Sequence, residues 1–598
     1  MTIENSSRSH SCGELNIENK GEKVTLAGWV RHKRDHGPFV FINLSDRYGM
    51  TQVVVDQEKS PIAYEIASSL KQETVIQVQG SVVPRPDGMI NQSMATGTID
   101  VFADDLEILN SCATLPFQIH DTKVETSETL KLQYRYLDLR SDELRKRIMD
   151  RAKITALVRQ ELESIDFLDI ETPYLYKSTP EGAREFLVPS RVNTHEFYAL
   201  AQSPQLFKQI LMVAGMDRYY QIVKCFRDED MRADRQPEFT QIDCEMSFVN
   251  REQVLRTFES MISNVVSRFF SLDSIDAFQR MSWKDAMERF GCDKPDLRFD
   301  MELQNVSQQA QDSGFAVFTD ALNGDSGIVN ALVISNGASF SRKHIDEFTK
   351  IAKNHGAGGL GWAKLKEDGS WQSPMAKNLQ ENWMKDLASS INANPGDLIL
   401  FGAGPWMQTK TALGALRNHI ASEQKLTNPK DLKFLWVTDF PLFERDEEAG
   451  RWVACHHPFT SPHPDDMDIL ASNPAAVRAE AYDLVCNGFE VGGGSIRIHQ
   501  SEIQKKVFSA LGLSDEDAQE KFGFLLDALQ YGAPPHGGIA FGLDRLVMLM
   551  SGCDAIRDVI AFPKTLKATC LLTGAPSRVV PAKLEELRLE IKNEQPLD

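Results

Sequence analysis

The sequence predicts a multidomain protein of mixed all-β and α+β class, in which a further α/β segment interrupts the α+β region. Three observations predict this fold class. The chain has 598 residues, more than one hydrophobic core supports, and its length suggests about three to five domains. Its N-terminal part contains five strand-like runs. A strand, a densely charged loop and a second strand follow between Tyr219 and Phe248. The strand-rich module and the charged hairpin therefore belong to different domains.

The composition is ordinary for a soluble globular protein, with 42% hydrophobic and 25% charged residues. We find no apolar run of transmembrane length and no signal-peptide pattern at the N-terminus, so we expect a cytoplasmic protein without a membrane partner. The nine cysteines are scattered without a C-x-x-C pair, which argues against a zinc ribbon and fits a reducing compartment. A net charge of −20 counts against indiscriminate nucleic-acid binding, and we expect no DNA partner.

The N-terminal module has the pattern of a small β-barrel. A helical run, Pro61–Lys71, falls between its third and fourth strands. The strand-like runs are Val24–Val30, Val40–Asn43, Thr51–Val55, Thr74–Val83 and Ile99–Ile108. Five strands with a helix after the third are typical of the OB fold, whose exposed face binds single-stranded nucleic acid.

Basic and aromatic residues are interleaved near the start of this module. We expect the basic side chains in a loop beside Phe39 and Phe41, where they suit phosphate contact together with base stacking. The basic residues are Arg31, His32, Lys33, Arg34 and His36. The alternative is that the phenylalanines belong to the core, and we expect this for Phe39.

The rest of the chain alternates between linkers and regular elements. Residues from Ser111 to about Arg140 are polar and predict a linker, and helical spacing then runs from Ile148 to near Asp166. The segment FLDIETPYL predicts a strand that Pro173 stops. The stretch 298–430 is glycine-rich without a phosphate-binding fingerprint, and we assign it no chemistry. After Leu566 a short extension ends in a charged helix at 582–594.

The charged loop of the hairpin, between Arg227 and Glu238, mixes acidic residues with arginines. Arg227 leaves the first strand and is placed to hold a phosphate bidentately, because a guanidinium presents a rigid fork of donors. Taken alone, the loop could equally be a solvated hairpin tip with ion pairs. Two further segments of the chain favour the phosphate interpretation.

These segments and the hairpin resemble the three motifs of the class II aminoacyl-tRNA synthetases. FRDED and RQPEFTQIDCEMSF resemble motif 2, Gly537–Leu549 resembles motif 3, and Phe167–Leu175 resembles motif 1. The segments between the motifs resemble bacterial aspartyl-tRNA synthetases, namely TPEGAREFLVPSR, QSPQLFKQ, HHPFTSP and YDLVCNGFEVGGGSIRIH. The resemblance covers almost the whole chain, from about Cys12 to the final helix.

The resemblance implies a domain order. An OB-fold anticodon-binding domain is expected at 1–111 and a linker at 112–140. A class II catalytic domain with an antiparallel sheet is expected at 141–297 and 431–566. An α/β insertion domain is expected at 298–430 and a C-terminal extension at 567–598. The helix and strand of motif 1 are expected to build a homodimer interface.

The implied reaction joins L-aspartate to the α-phosphate of ATP and then transfers it to the 3′ end of tRNA. Such chemistry needs guanidinium groups and Mg²⁺ rather than a protein nucleophile. The implied catalytic residues are Arg227, Arg545 and Glu490, and the implied Mg²⁺ ligands are Asp483 and Glu490. The implied ATP contacts are Arg227, Asp228, Glu229, Gln236, Glu490, Gly542, Leu543, Asp544 and Arg545.

For aspartate, the resemblance implies a cationic pair, Lys208 and Arg497, that faces the side-chain carboxylate. The implied aspartate contacts are Glu181, Ser203, Gln205, Lys208, Arg227, Gln241, Asp243, His456 and Arg497. The neighbouring His457 does not suggest a metal site, because adjacent side chains on a strand point to opposite faces. A single lysine such as Lys208 is by default a solvated helix residue. Only the neighbouring motif residues favour a role in binding.

The same resemblance gives roles to the N-terminal module. Phe41 is implied to stack on an anticodon base and Gln52 to read a base edge, with Arg34 beside them. In this family the positions of His36 and Gly88 vary, and histidine with glycine resembles the members that charge both tRNA-Asp and tRNA-Asn. The alternatives are an enzyme restricted to tRNA-Asp, an asparaginyl enzyme, or an inactive OB-fold RNA-binding paralogue.

Overall fold

A computed structural model of the protein describes residues 7–121, 124–178, 183–380, 382–446 and 450–592. By its internal contacts the chain divides into two compact units, 1–146 and 147–598. None of the helices in the described ranges is long and apolar enough to cross a membrane.

The first unit contains a closed five-stranded barrel, in the order β1-β2-β3-β5-β4. Its elements are β1 Lys23–His36, β2 Phe39–Ser45, β3 Met50–Asp56, α1 Pro61–Ser69, β4 Val75–Pro84 and β5 Ile99–Asn110. The interior is aliphatic and includes Leu26, Ile42, Val53 and Val101, all fully buried. The predicted OB fold, with its helix after the third strand, is confirmed.

Two expectations about the basic segment are wrong. β1 continues to His36, and its last residues pair with β2 instead of forming a loop, so that only Gly37 and Pro38 lie between the strands. Side chains alternate along β2: Val40 and Ile42 point into the barrel, whereas Phe39 is half-buried on the outer face. The pairing of β1 with β2 thus places the basic residues in the sheet.

The segment after the barrel contains two short helices, α2 Glu128–Gln133 and α3 Arg135–Asp138. The long helix α4 spans Asp142–Ser164 and begins earlier than the hydrophobic spacing predicts. Its first turn is polar and carries Asp142, whose negative charge is favourable at a helix N-terminus. The spacing of apolar residues cannot locate a polar first turn, and for this reason the predicted helix begins too late.

The second unit is built on an eight-stranded sheet in the order β12-β18-β21-β22-β23-β11-β10-β6, antiparallel except for its two outermost pairs. The first group of elements is β6 Leu168–Asp169, β7 Leu175–Tyr176, β8 Leu187–Pro189, β9 Phe197–Leu200, α5 Gln205–Val213, β10 Arg218–Phe226, β11 Glu238–Ser247, α6 Arg251–Phe270, β12 Gln279–Ser282 and α7 Trp283–Phe290. The predicted hairpin is β10 and β11, paired from Arg218 to Phe226. The predicted antiparallel sheet is confirmed.

The motif 1 segment departs from the expected strand. Only Leu168 and Asp169 join the eight-stranded sheet, next to β10. The residues beyond Pro173 form β7, which belongs to a separate sheet with β8 and β9. The predicted strand before Pro173 is therefore shorter than expected, and beyond Pro173 the chain enters another sheet.

The stretch after α7 forms a separate five-stranded sheet in the order β13-β14-β17-β15-β16. Its elements are β13 Leu303–Asn305, α8 Ser307–Gln311, α9 Ala316–Leu322, β14 Gly327–Ile334, α10 Arg342–Asn354, β15 Gly361–Leu365, β16 Trp371–Gln372, α11 Trp383–Ser390, β17 Leu398–Pro405 and α12 Trp406–Glu423. Apolar clusters on both faces of this sheet, around Phe401 and Leu400, give it its own cores. The predicted mixture of helices and strands in this stretch is confirmed, and every strand pair of its sheet is antiparallel.

The chain then returns to the large sheet. The remaining elements are β18 Phe434–Thr438, β19 Phe443–Asp446, β20 Arg451–Ala454, β21 Ala481–Cys486, β22 Phe489–Ile496, α13 Ser501–Ala510, α14 Asp515–Leu529, β23 His536–Gly542, α15 Leu543–Met550 and α16 Pro581–Glu586. Helices α4, α6 and α15 cover one face of the sheet through Val158, Phe258 and Val547. The C-terminal helix is shorter than predicted, and residues 593–598 lie outside the described ranges.

Candidate active site

A cavity of about 930 Å³ collects most of the residues that the sequence singled out. Strands β11 and β22, helix α5 and the start of α15 all contribute to its wall. The predicted residues that line it are Ser203, Gln205, Lys208, Arg227, Glu229, Gln236, Gln241, Asp243, His456, Asp483, Glu490, Arg497, Gly542, Asp544 and Arg545. Asp228 and Leu543 are not among the lining residues. The predicted Glu181 lies outside the described residues.

One end of the cavity holds a buried set of four charges. Lys208 Nζ lies 2.6 Å from Asp243 Oδ1 and 3.4 Å from Glu245 Oε2. The Arg497 guanidinium donates to both oxygens of Glu245, at 2.9 and 3.2 Å. Each of the four side chains is at most 2% exposed. Glu245 thus bridges the two predicted cations.

Sequence reasoning missed Glu245, although a signal was present. Gln241, Asp243 and Glu245 stand at alternating positions of strand β11, and a period of two places them on one face. Polar residues at successive positions of one strand face rarely belong to a sealed core, so the pattern indicated a polar site.

The acids of this set differ in their electrostatics. Burial raises the pKa of Asp243 and outweighs the opposing effect of Lys208. Burial would also raise the pKa of Glu245, but Arg497 and Lys208 together hold it below its ordinary value. Oδ2 of Asp243 is buried without a hydrogen-bond partner in the described part of the chain. This oxygen is an acceptor that a ligand ammonium would satisfy.

The two adjacent histidines do not alternate across a strand as expected. β20 ends at Ala454, and both His456 and His457 line the cavity. His457 contacts Arg497 through Nε2 at 2.6 Å, whereas the ring of His456 packs edge-on against Phe440. The protein around the His456 ring desolvates it, and this effect, reinforced by the charge of Arg497, lowers the pKa of His456 to about 4, although the residue is exposed along the cavity. Burial, with Arg497, also holds the pKa of His457 well below its ordinary value, so both rings are neutral at pH 7.

The other end of the cavity presents two arginines from different elements. The Arg227 guanidinium lies 5.2 Å above the Phe239 ring, and its Nε is buried without a partner in the described residues. Arg545, in the first turn of α15, donates to the Glu490 carbonyl at 2.9 Å and to Asp234 Oδ2 at 3.1 Å. Arg227 lines the cavity, and a guanidinium with an unsatisfied N–H in the cavity wall fits an anionic ligand such as a phosphate.

Three other predicted ATP contacts already have protein partners. The amide of Gln236 donates to the Lys564 carbonyl at 3.0 Å and accepts its N–H at 2.8 Å. Asp544 accepts from Arg151 at 2.5 Å and from the Thr240 N–H at 2.8 Å. Glu229 accepts from Arg235 at 3.3 Å. Of the two residues that do not line the cavity, Leu543 is buried in the core.

The carboxylates of Asp483 and Glu490 flank Gly493. A Cβ at Gly493 would lie 2.8 Å from Asp483 Oδ1 and 3.2 Å from Glu490 Oε1. Burial raises the pKa of Asp483, and the neighbouring carboxylate of Glu490 raises it further. Within the described residues no group of three or more acidic, histidine or cysteine side chains is arranged to hold a metal. Two hard oxygen donors with open sides fit Mg²⁺, which commonly keeps waters and substrate phosphates as its other ligands.

We expect the Gly493→Ala variant to bind Mg²⁺ more weakly, because the added methyl group would displace both carboxylates. The activity should fall about 10- to 100-fold at limiting Mg²⁺, the range seen when the supports of metal ligands are disturbed. A Mg²⁺ titration of ATP–pyrophosphate exchange measures the effect. Gly359→Ala is the matched control, since no atom lies within 4 Å of its Cβ position. An unchanged Mg²⁺ dependence would exclude a metal site at these carboxylates.

The barrel brings its predicted residues together on one face. Arg34 lies opposite Phe41 on the neighbouring strand and donates to Gln52 at 3.3 Å. Gln52 donates in turn to Asp100 at 3.0 Å, and Arg85 holds Asp100 at 2.7 Å. The last two residues were missed, because they come from other strands. The half-buried rings and polar edges on this face can contact unpaired bases.

The two positions expected to govern tRNA choice are both exposed. His36 ends β1 at the tip of the hairpin, opposite Phe39. Gly88 has a φ of +86° and no neighbour within 4 Å of its Cβ position. A side chain at Gly88 therefore has room but must adopt a strained backbone.

The comparisons with known proteins agree with this geometry. Residues 127–566 match the family described as tRNA synthetases class II (D, K and N), and residues 24–109 match the OB-fold nucleic acid binding domain. The chain therefore has the catalytic domain of a class II tRNA synthetase. More particularly, it belongs to the D, K and N family of these enzymes and is an aminoacyl-tRNA ligase.

Curated relatives cover nearly the whole chain. It is 56% identical over 587 residues to the aspartate–tRNA(Asp/Asn) ligase of Desulfatibacillum aliphaticivorans, a match that spans 98% of each chain. It is 52% identical to the ligase of the same name from Syntrophotalea carbinolica, over 97% of each chain. The fold resembles the asparaginyl-tRNA synthetase of Pyrococcus horikoshii complexed with asparaginyl-adenylate, with a TM-score of 0.59 at 18% identity, over 93% of this chain and 98% of the other.

Proposed function

We propose that this protein is an aspartate–tRNA ligase that activates L-aspartate with ATP and transfers it to both tRNA-Asp and tRNA-Asn. The observation that carries the amino-acid assignment is the buried charge set around Glu245. If Asp243 takes the substrate ammonium, the remaining Lys208, Arg497 and Glu245 carry a net charge of +1. One side-chain carboxylate neutralises that charge, whereas the amide of asparagine does not.

ATP and Mg²⁺ are proposed to occupy the opposite end of the cavity. The free Nε–H of Arg227 supports a contact with the α-phosphate, and Arg545 would hold the outer phosphates. Glu490 and Asp483 would hold Mg²⁺, which neutralises phosphate charge when it is bound. Phe239, beneath Arg227, provides a flat apolar surface for the adenine ring.

The chemistry then consists of positioning and charge stabilisation. An oxygen of the aspartate α-carboxylate attacks the α-phosphorus, and pyrophosphate leaves. The 3′-terminal hydroxyl of tRNA next attacks the acyl carbon, and AMP leaves. Arg227 stabilises the charge that develops on the phosphorus oxygens, and the set around Glu245 fixes the amino acid in line. His456 and His457, neutral at pH 7, add no positive charge to the pocket.

The experiment that tests the function is charging of purified tRNA-Asp and tRNA-Asn with labelled aspartate. We expect comparable charging of both. Aspartate-dependent pyrophosphate exchange without asparagine-dependent exchange would support the amino-acid assignment. Charging of tRNA-Asp alone would overturn the dual range, and charging of neither would favour the inactive paralogue.

We expect the double variant His36→Leu, Gly88→Lys to charge tRNA-Asn less efficiently relative to tRNA-Asp. These side chains would add bulk and charge beside the anticodon, and one rejected base is worth about 1–3 kcal/mol, or five- to 150-fold. The ratio of kcat/KM for the two tRNAs is the measurement. Gly21→Lys, at a φ of +84° with open space around it, controls for backbone strain. An unchanged ratio would mean that neither position governs tRNA choice.

A homodimer and a cytoplasmic location complete the proposal. The motif 1 region exposes Leu168, Tyr174 and Leu175, each 44–52% accessible in the single chain. Apolar side chains that are exposed together on a surface mark an association site. No disulfide bond joins the cysteines in the described residues, as expected in a reducing compartment. Sedimentation at micromolar protein concentration tests the dimer.

A further inference from the structure

Arg151 of helix α4 makes a buried junction behind the cavity. Its guanidinium donates to Asp544 Oδ1 at 2.5 Å, to the Val559 carbonyl at 3.2 Å and to Thr240 Oγ1 at 3.2 Å. The side chain is 19% exposed and that of Asp544 only 4%. Arg151 is not among the residues that line the cavity. An effect of Arg151 on the site is therefore transmitted through the residues that it contacts.

Two of those residues lie in α15, which carries Arg545, and in β11, whose Phe239 lies under Arg227. Asp544 immediately precedes Arg545 in the first turn of α15. Its second oxygen accepts the backbone N–H of Thr240 in β11 at 2.8 Å. Thr240 is the neighbour of Phe239, whose ring lies under Arg227. The Asp544 carboxylate thus connects α15 to β11, and Arg151 donates hydrogen bonds to Asp544 in α15 and to Thr240 in β11.

We propose that Arg151 is a positioning residue for ATP: through Asp544 and Thr240 it fixes Arg545 and Arg227 at the separation that one bound triphosphate requires. The proposal rests on the function proposed above. Two guanidinium groups on different elements stabilise a transition state only if their spacing is set before the substrate arrives. A displacement of about 1 Å is enough to cost roughly 100-fold in rate.

The chemistry of the junction calls for arginine. Three acceptors surround the head group, a carboxylate, a hydroxyl and a backbone carbonyl, and a planar guanidinium reaches them from one fixed position. Lysine keeps the charge but offers a single nitrogen, so it can replace the pairing with Asp544 without the fixed geometry. The effects of lysine and of an uncharged residue should therefore differ in a graded way.

The test compares Arg151→Met, Arg151→Lys and Thr240→Val in ATP–pyrophosphate exchange and in equilibrium ATP binding by calorimetry. We expect Arg151→Met to raise the KM and Kd for ATP at least tenfold and to lower kcat/KM for ATP about 100-fold. The KM for aspartate should rise much less than the KM for ATP, because the junction reaches the aspartate site only through Arg227 and does not involve the charge set around Glu245. Arg151→Lys should recover part of the loss. Thr240→Val, which keeps the backbone N–H, should show a small effect of the same kind.

Asp544→Asn provides a double-mutant cycle with Arg151→Met. If the two residues act as one device, the double variant is no worse than the poorer single variant. Lys153→Met is the matched control, since Lys153 lies on the same helix, away from the junction, and its ammonium donates to the Phe269 carbonyl and lies over the Phe269 ring. Its ATP parameters should equal those of the wild type.

Three outcomes would overturn the proposal: equal losses for ATP and aspartate, additive losses in the cycle, or an ATP affinity that Arg151→Met leaves unchanged. If Arg151→Met does not fold, Arg151→Lys and Thr240→Val answer the same question. Failure of the proposed function shows itself separately, as a wild-type enzyme without aspartate-dependent exchange. Calorimetric ATP binding still tests the junction in that case.

Discussion

The Arg227→Ala variant should lose aspartate activation by about 10²- to 10³-fold, the loss typical of removing one group that stabilises transition-state charge. Arg227 is the one residue proposed to contact both the α-phosphate and the substrate carboxylate. Arg227 lines the cavity and its Nε has no partner in the described residues, so its guanidinium can bind a ligand there. Single-turnover adenylate formation measures the effect directly. We expect transfer from preformed adenylate to fall less, because pyrophosphate has by then departed.

The control for this prediction is Arg232→Ala in the same charged loop. Arg232 is exposed and does not line the cavity, so its removal tests whether any arginine of the loop matters. Adenylate formation by Arg232→Ala should match the wild type. Near-normal adenylate formation by Arg227→Ala would contradict the assignment of Arg227 and leave the loop as a solvated hairpin tip.

Local patterns predicted a large part of this structure. Alternating apolar residues and turn residues placed the barrel strands, and strand–loop–strand periodicity placed β10 and β11. These features depend on neighbours in sequence. The same periodicity missed the extension of β1 to His36, because a polar strand end pairs through its backbone and leaves no apolar signature.

Contacts between distant segments could not be predicted in the same way. Arg497 and Glu245 are 252 residues apart, and Arg151 and Asp544 are 393 apart. No sequence period relates such pairs, and only the fold brings them together. The motif resemblance predicted the cationic pair Lys208 and Arg497 but not Glu245, the buried carboxylate between them. It also assigned Asp544 to ATP, whereas in the structure both oxygens of Asp544 are engaged by the protein.

The Glu245→Gln variant should lower the free energy of unfolding by about 3–5 kcal/mol, the cost of leaving a buried charge without its partner. Glutamine retains the shape and some hydrogen bonds, but Lys208 and Arg497 then share one anion, Asp243. A substrate carboxylate can supply the missing charge. Saturating aspartate should therefore stabilise the variant more than it stabilises the wild type, as measured by the urea midpoint with and without ligand.

The pH dependence of the same comparison gives an independent check. The folded-state pKa of Glu245 is below its ordinary value of 4.5, so its stabilisation is fully present above that value and is lost as the pH falls toward the folded pKa. The stability difference between wild type and variant should be constant near neutral pH and shrink below about 4.5. Glu161→Gln, which breaks a pair with Arg268 on the surface of α4, is the control and should cost about 1 kcal/mol or less. A Glu245→Gln protein as stable as the wild type would mean that the four charges are not coupled, and the charge count that selects aspartate would fail with them.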